Sequence, residues 1–291
     1  MTEFKAPLTL QKPGAPPLPA PPHLDGLNLD WEGYLAAGEY RRALAAARLT
    51  PGPLPTPLLS AIESLSDVQE HIRAHKYPQA RRALVRLTED LAEPDEMLLA
   101  VRRNVHLPSL DAALTSLESA ETARHVEPDA LKAALAPALD TPLTRAEALN
   151  AVGVLHAIHE EHSAARAAFE AAAEADAGHY RAISNIGNLE LQAGNLVAAE
   201  TAQRRAIALN ADFAGAHHNL GVALRRQGRV ADSVKAIRRG QRLAMRRMRE
   251  DAAPRRSASG GQALKWLNPT TLRIIGLVVA VIVFYLFLKG R

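Results

Sequence analysis

Three consecutive stretches decide the fold: AEALNAVGVLHAIHEEHSAARAAFEAAAEADAGH (146–179), YRAISNIGNLELQAGNLVAAETAQRRAIALNADF (180–213) and AGAHHNLGVALRRQGRVADSVKAIRRGQRLAMRR (214–247). They align without a gap, with Gly153, Gly187 and Gly221 each 34 residues apart. Val152, Ile186 and Leu220 precede these glycines; Ala165, Ala199 and Ser233 follow by twelve residues, and Ala172, Ala206 and Gly240 by nineteen. A fixed period of this length marks a stacked repeat in which each unit is one supersecondary element. Small residues at set positions remove side-chain bulk, so two antiparallel helices can approach closely and successive units can nest. Gly194 and Gly228 stand where the first helix of their units should end, because glycine adopts the left-handed conformation of a helix C-terminus without strain. The first unit has Glu160, Glu161 and His162 at that turn instead.

This spacing resembles the tetratricopeptide repeat family, with an apolar residue before Gly at the eighth position, Ala at the twentieth, a large residue near the twenty-fourth and Ala at the twenty-seventh. The chain departs from that pattern at the thirty-second position, where Ala177 and Ala211 replace the usual Pro, and at the eleventh, where His156, Glu190 and Leu224 replace Tyr. Upstream, GYLAAGEYRRALAAAR (33–48) and IRAHKYPQARRALVRL (72–87) read as the turn and second helix of degenerate units. PGPLPTP (51–57) breaks helix between them, and prolines punctuate further short helices over 93–145. The expected architecture is all-α, with a degenerate hairpin region over 27–145, the three clear units over 146–247, and one continuous stack of hairpins between them.

The resemblance implies an inner face lined by the first helix of each unit. From the first unit it takes Asn150, Val154 and Ile158; from the second, Arg181, Ser184, Asn188 and Leu191; from the third, His218, Val222, Arg225 and Arg226. Some family members hold a terminal carboxylate with two Lys, two Asn and an Arg. Here Asn185 alone matches that set, with Asn150, Val154, Gly215 and Asn219 elsewhere, so no such clamp is expected. Val154, Leu191 and Val222 point instead to apolar contact with an extended peptide or a helix, flanked by Asn hydrogen bonds, and Arg225 and Arg226 favour an acidic partner.

Composition supports the helical assignment. Of 291 residues, 47% are hydrophobic and 23% charged, which excludes wholesale disorder, while aromatics at 4% leave little material for a β-sandwich or barrel. The chain has no Cys, which excludes disulfides, thiolate metal ligation and cysteine nucleophiles. His156, His159 and His162 recur every three residues but have no carboxylate or fourth ligand fixed by spacing, and read as turn histidines. Gly260, Gly261 and Gln262 match a peptidyl-release signature by letters yet lie in linker-like SASGG. No catalytic constellation emerges. Neither enzyme activity nor a metal or cofactor is expected.

Charge is divided along the chain. Residues 1–224 carry 19 Lys and Arg against 28 Asp and Glu, whereas 225–273 carry 14 against three. Residues 1–26 hold seven prolines and no apolar stretch of seven, so they read as an extended arm and not an export signal. At the other end, Thr270–Leu288 is an almost uninterrupted apolar run of 19 residues, or roughly 28 Å of helix, close to the ~30 Å of a bilayer core. A single C-terminal transmembrane helix is therefore expected over 270–288, followed by a short tail, 289–291. Residues 248–269 would be a basic juxtamembrane linker. Arg246, Arg247, Arg249, Arg255, Arg256 and Lys265 form a neck expected to face anionic lipid, and their excess over Lys289 and Arg291 keeps that side cytoplasmic.

Together these features point to a membrane-anchored adaptor, expected in a bacterial inner membrane, that binds a partner protein in its groove. The alternative is a regulatory protein acting on lipid or nucleic acid through the basic neck, although the neck lacks the interleaved aromatics that favour nucleic acid.

Overall fold

The computed structural model describes residues 29–263 apart from 53, 93 and 124, with side chains described as far as Glu250. The Pro-rich arm 1–26, Lys265, the expected span 270–288 and the tail 289–291 lie outside the described residues, as do the side chains of Arg255 and Arg256. Among the described residues there are fourteen helices and no strand: α1 (Trp31–Ala36), α2 (Tyr40–Leu49), α3 (Thr56–Arg73), α4 (Tyr77–Asp90), α5 (Leu98–Asn104), α6 (Leu107–Ala123), α7 (Pro128–Ala134), α8 (Ala136–Asp140), α9 (Pro142–Ile158), α10 (His162–Ala175), α11 (Tyr180–Gln192), α12 (Leu196–Leu209), α13 (Ala214–Arg226) and α14 (Val230–Ala263). None of them is long and apolar enough to cross a membrane.

Five hairpins share one turn. Gly38, His75, Glu160, Gly194 and Gly228 each have positive φ, between 56° and 82°. In every case the next residue donates its N–H to the carbonyl five residues back: Glu39 to Tyr34, Lys76 to His71, Glu161 to His156, Asn195 to Glu190, and Arg229 to Leu224, at 2.8–2.9 Å. This double-bonded helix ending satisfies carbonyls that would otherwise be orphaned and reverses the chain into the second helix. Five residues after each turn comes a small residue with almost no exposure, namely Ala43, Ala80, Ala165, Ala199 and Ser233. The two degenerate units and the three clear ones therefore share a cap and a close-packing site.

Within the clear units each glycine faces a large side chain of the second helix. A Cβ at Gly153 would stand 2.7 Å from the Phe169 ring, and one at Gly187 would stand 2.6 Å from the Gln203 amide nitrogen. Gly221 meets Ile237 in the same way. Between α4 and α9 the order breaks. No left-handed turn lies among the described residues between His75 and Glu160; α5, α7 and α8 are short helices around the longer α6, and α6, α7 and α8 each have a proline in the first turn. The expected continuous stack of hairpins is thus interrupted, because α6, α7 and α8 pack across α9 and share one large core with α1–α4. At the other end α14 does not stop at 247. Its backbone stays helical to Ala263, roughly 50 Å in length at ~1.5 Å per residue, so 248–263 continues the last repeat helix where a linker was expected.

Two substitutions should move stability in opposite directions. Glu160→Gly relieves a left-handed non-glycine residue and should raise the thermal midpoint, by an amount worth about 0.5–1 kcal/mol. Gly153→Ala crowds the Phe169 ring and should lower it by about 1–3 kcal/mol. Circular-dichroism melts of the two variants check both signs.

Candidate functional site

The turn between α3 and α4 reaches across the molecule. Arg73, at the end of α3, donates from Nε and Nη2 to the two carboxylate oxygens of Asp176, at 2.7 and 2.6 Å. Asp176 caps α10 and also accepts the Gly178 N–H at 2.9 Å. The Tyr180 hydroxyl donates to the Arg73 carbonyl at 3.0 Å, and Arg247 of α14 donates to the Ala74 carbonyl at 3.2 Å. His75, held at φ 56°, bonds through Nε2 to Glu147 of α9. Tyr77 stacks on His75 with ring centroids 5.7 Å apart.

Glu147 is 1% exposed and is shared between two histidines. His179 caps α11: its Nδ1 accepts the Ala182 N–H, so its Nε2 carries the proton that it donates to Glu147 Oε2 at 2.9 Å. Burial pushes the Glu147 carboxyl up, but the hydrogen bonds from His179 and His75 outweigh it and hold the carboxyl down at about 2. The Tyr77 phenol is pushed far up by burial, reinforced by the carboxylates of Glu147 and Glu121.

Beside this buried group lies a cavity of about 370 Å³ between α6, α7 and the inner face of α9. Leu117, Leu131, Leu135 and Leu155 form its apolar wall, His75 and Glu147 its polar floor, and Val154, Ile158 and Arg181 also line it. Val154 is 39% exposed and Ile158 69%. Val126 on the α6–α7 loop is 68% exposed, and its carbonyl accepts from His159 Nε2 at 2.7 Å, which fixes that loop to the end of α9. The Arg181 Nε is buried and has no hydrogen-bond partner.

The residues expected to line a groove divide in three. Val154, Ile158 and Arg181 meet at this cavity, whereas His218, Arg225 and Arg226 are exposed and Val222 half-buried on α13. Asn150, Ser184 and Leu191 are buried, Asn150 against the same cavity. Asn150 accepts from Asn185 at 2.9 Å, Ser184 donates to Gln203 at 2.8 Å, and Leu191 packs with Ala199 and Ala223. Asn188 is half-buried and accepts from Asn219 at 2.7 Å and from Gln203 at 3.1 Å. The asparagines thus join first helices of neighbouring repeats to each other.

In the neck, Arg246 pairs with Asp212 at 2.6 Å and Arg249 is exposed. His156 pairs with Glu161, while His162 is exposed. No cluster of three or more metal-ligating side chains occurs among the described residues. The half-buried pair Arg73–Asp176, the histidines that flank Glu147 and the leucines from 117 to 135 were not singled out from the sequence, although Glu147 itself stands at an inner-face position of the first repeat. The one local signal is a carboxylate at 147 in a largely apolar helix.

No protein-family model and no curated protein matches the chain. Among solved structures, a crystal structure of MamA is 16% identical over 62% of this chain and 96% of its own, with a TM-score of 0.39. A second MamA crystal structure covers 65% of this chain and 94% of its own at 16% identity and a TM-score of 0.38. The MamA of MSR-1 covers 64% and 97% at 14% identity and a TM-score of 0.36. Likeness at this level says nothing about what this chain binds.

Glu147 sets a pH dependence. Its folded-state pKa lies below the ordinary 4.5, so the stability it contributes is complete above 4.5 and is lost as pH falls towards about 2. Melts between pH 7 and pH 2.5 should show the midpoint falling in that window, by up to about 3 kcal/mol at ~1.4 kcal/mol per pKa unit. Glu147→Gln should start lower at pH 7 and lose most of that slope.

Proposed function

We propose that this chain is a non-enzymatic adaptor that binds a partner protein on the inner face of its helical stack and recruits it to a membrane. One observation carries the binding part: exposed Val154 and Ile158 stand at the mouth of an apolar cavity beside a cation with an unpartnered nitrogen. Exposed apolar patches next to a preformed cavity are characteristic of interaction surfaces, and exposed Arg225 and Arg226 extend the same chemistry towards acidic partners. The apolar run 270–288 supports a single-pass anchor, and the arginines before it support a cytoplasmic position for the helical body at a bacterial inner membrane. Tethering raises the local concentration of the bound partner at the membrane, which is what an adaptor needs and a catalyst does not.

The basic stretch of α14 favours a second reading. Arg238, Arg242 and Arg249 are exposed, so lipid headgroups or nucleic acid could be held there by charge alone.

Photo-crosslinking in membranes tests the adaptor. Benzoylphenylalanine at Ile158 or Arg225 should give a discrete protein adduct, and the same probe at Val85, exposed on α4, should not. Identical adducts from all three positions, or none, overturn the proposal. Alkaline carbonate extraction tests the anchor separately: the full chain should stay with the membrane, and deletion of 270–288 should release it. Binding that survives this deletion and falls steeply with salt supports the second reading instead.

A further inference from the structure

Arg181 is the cation whose situation calls for a ligand. It projects from the first turn of α11 into the mouth of the α6–α7–α9 cavity, half-buried, with its Nε shielded from solvent and bonded to nothing. A buried donor left unsatisfied costs about 1–3 kcal/mol, and such groups in folded proteins ordinarily find a partner. Neither carboxylate that lines the cavity bonds to it. Both oxygens of Glu147 accept from histidines, whereas Glu121, on α6, is exposed and directs its carboxylate towards His75 Nδ1 at 3.9 Å, not to Arg181. His75, Tyr77 and His125 are the remaining titratable groups on the wall. The vacant valence is therefore a fork of guanidinium donors, which suits a carboxylate bound through two parallel hydrogen bonds.

Apolar surface around Arg181 defines what that carboxylate must be attached to. At about 370 Å³ the cavity has room for one large apolar side chain together with the backbone that carries it. Its apolar character does not end at the mouth, since Val154 and Ile158, one turn apart on α9, continue it outwards towards Val126. A small molecule filling the cavity would leave that rim wet. A helix lying across it would cover the rim with its i and i+4 residues while placing an anchor inside.

We propose that this cavity takes an acidic amphipathic helix of a partner protein, with a large apolar anchor among Leu117, Leu131, Leu135 and Leu155 and a neighbouring Glu or Asp carboxylate on Arg181. This deepens the adaptor proposal and rests on it. It moves the principal binding site from the middle of the repeats to their junction with α6 and α7.

The test uses the full chain and fluorescence anisotropy with two fluorescein-labelled fourteen-residue helical peptides. Both carry Leu at i, i+3, i+4 and i+7; one has Glu at the flanking positions and the other Gln. Wild type should bind the Glu peptide at least tenfold more tightly than the Gln peptide. Arg181→Gln should remove that preference while leaving the Gln peptide unaffected, and Ile158→Asp, at an exposed position that folding does not depend on, should weaken both peptides tenfold or more. Equal binding of the two peptides by wild type, or a preference that survives Arg181→Gln, overturns the proposal. So does binding of dodecanoate with no binding of either peptide, which would give the cavity to a lipid. If the peptides fail while Ile158 still cross-links a protein, the adaptor stands and this ligand falls. If the preference holds but no adduct forms in membranes, the ligand chemistry stands and the adaptor falls.

Discussion

Docking of residues 73–77 against α9, α10, α11 and α14 is the contact on which the rest of the arrangement depends. A stack of helical hairpins is held mainly by neighbours, and in the clear repeats those neighbours meet through small clusters such as Ala165, Phe169 and Leu189, or Leu191, Ala199 and Ala223. Such interfaces are thin and add up only locally. The turn at His75 joins residues 103 positions apart through Arg73 and Asp176, and 173 positions apart through Ala74 and Arg247. It makes the two degenerate hairpins and the three clear ones a single body.

That closure has an electrostatic cost and a structural return. Arg73, Asp176, Glu147 and His179 are all largely or fully removed from water, and groups of this kind are tolerated only when every one finds its partner. Each is satisfied here by an atom from a distant part of the chain, so the ionic network specifies one register between the halves where apolar packing alone would accept several. Loss of one partner would strand a charge, at about 3–5 kcal/mol, which ties the network to global folding. His75 and Tyr77 at the same turn also wall the α6–α7–α9 cavity, so the cavity is complete only when the halves are closed.

Much of this was legible in the sequence, for a definite reason. The glycines at 153, 187 and 221 recur because each must let a large side chain of its partner helix pass close to the backbone, and steric requirements that repeat leave a periodic trace. The turns at Gly38 and His75 were visible for the same reason, through the Tyr and Ala that follow them. Unique contacts leave no such trace. Nothing local to His75 announces Glu147, which lies 72 positions further on, or that α6 and α7 fold back across α9 instead of forming another hairpin. Groove residues inferred by position alone bond within the stack where neighbouring first helices lean together, as with Asn150 on Asn185 and Asn188 on Asn219.

Those asparagine pairs decide where recognition can occur. Polar groups on the inner face of a repeat stack can bind a ligand only if the stack does not use them, and here successive units spend them on each other. Beyond Arg181 at its edge, the inner face of the second repeat is left with buried Ser184 and Leu191 and a half-buried Asn188, a surface short of exposed apolar area. At the first repeat the situation reverses, because no regular unit precedes it and α6 and α7 pack against α9 in its place. The space that this irregular packing leaves is the cavity, and Val154 and Ile158 stay exposed beside it. Breaking the repeat pattern at 93–145 is thus the structural condition for the proposed binding site, in the way that departures from local regularity in folded proteins concentrate where function is.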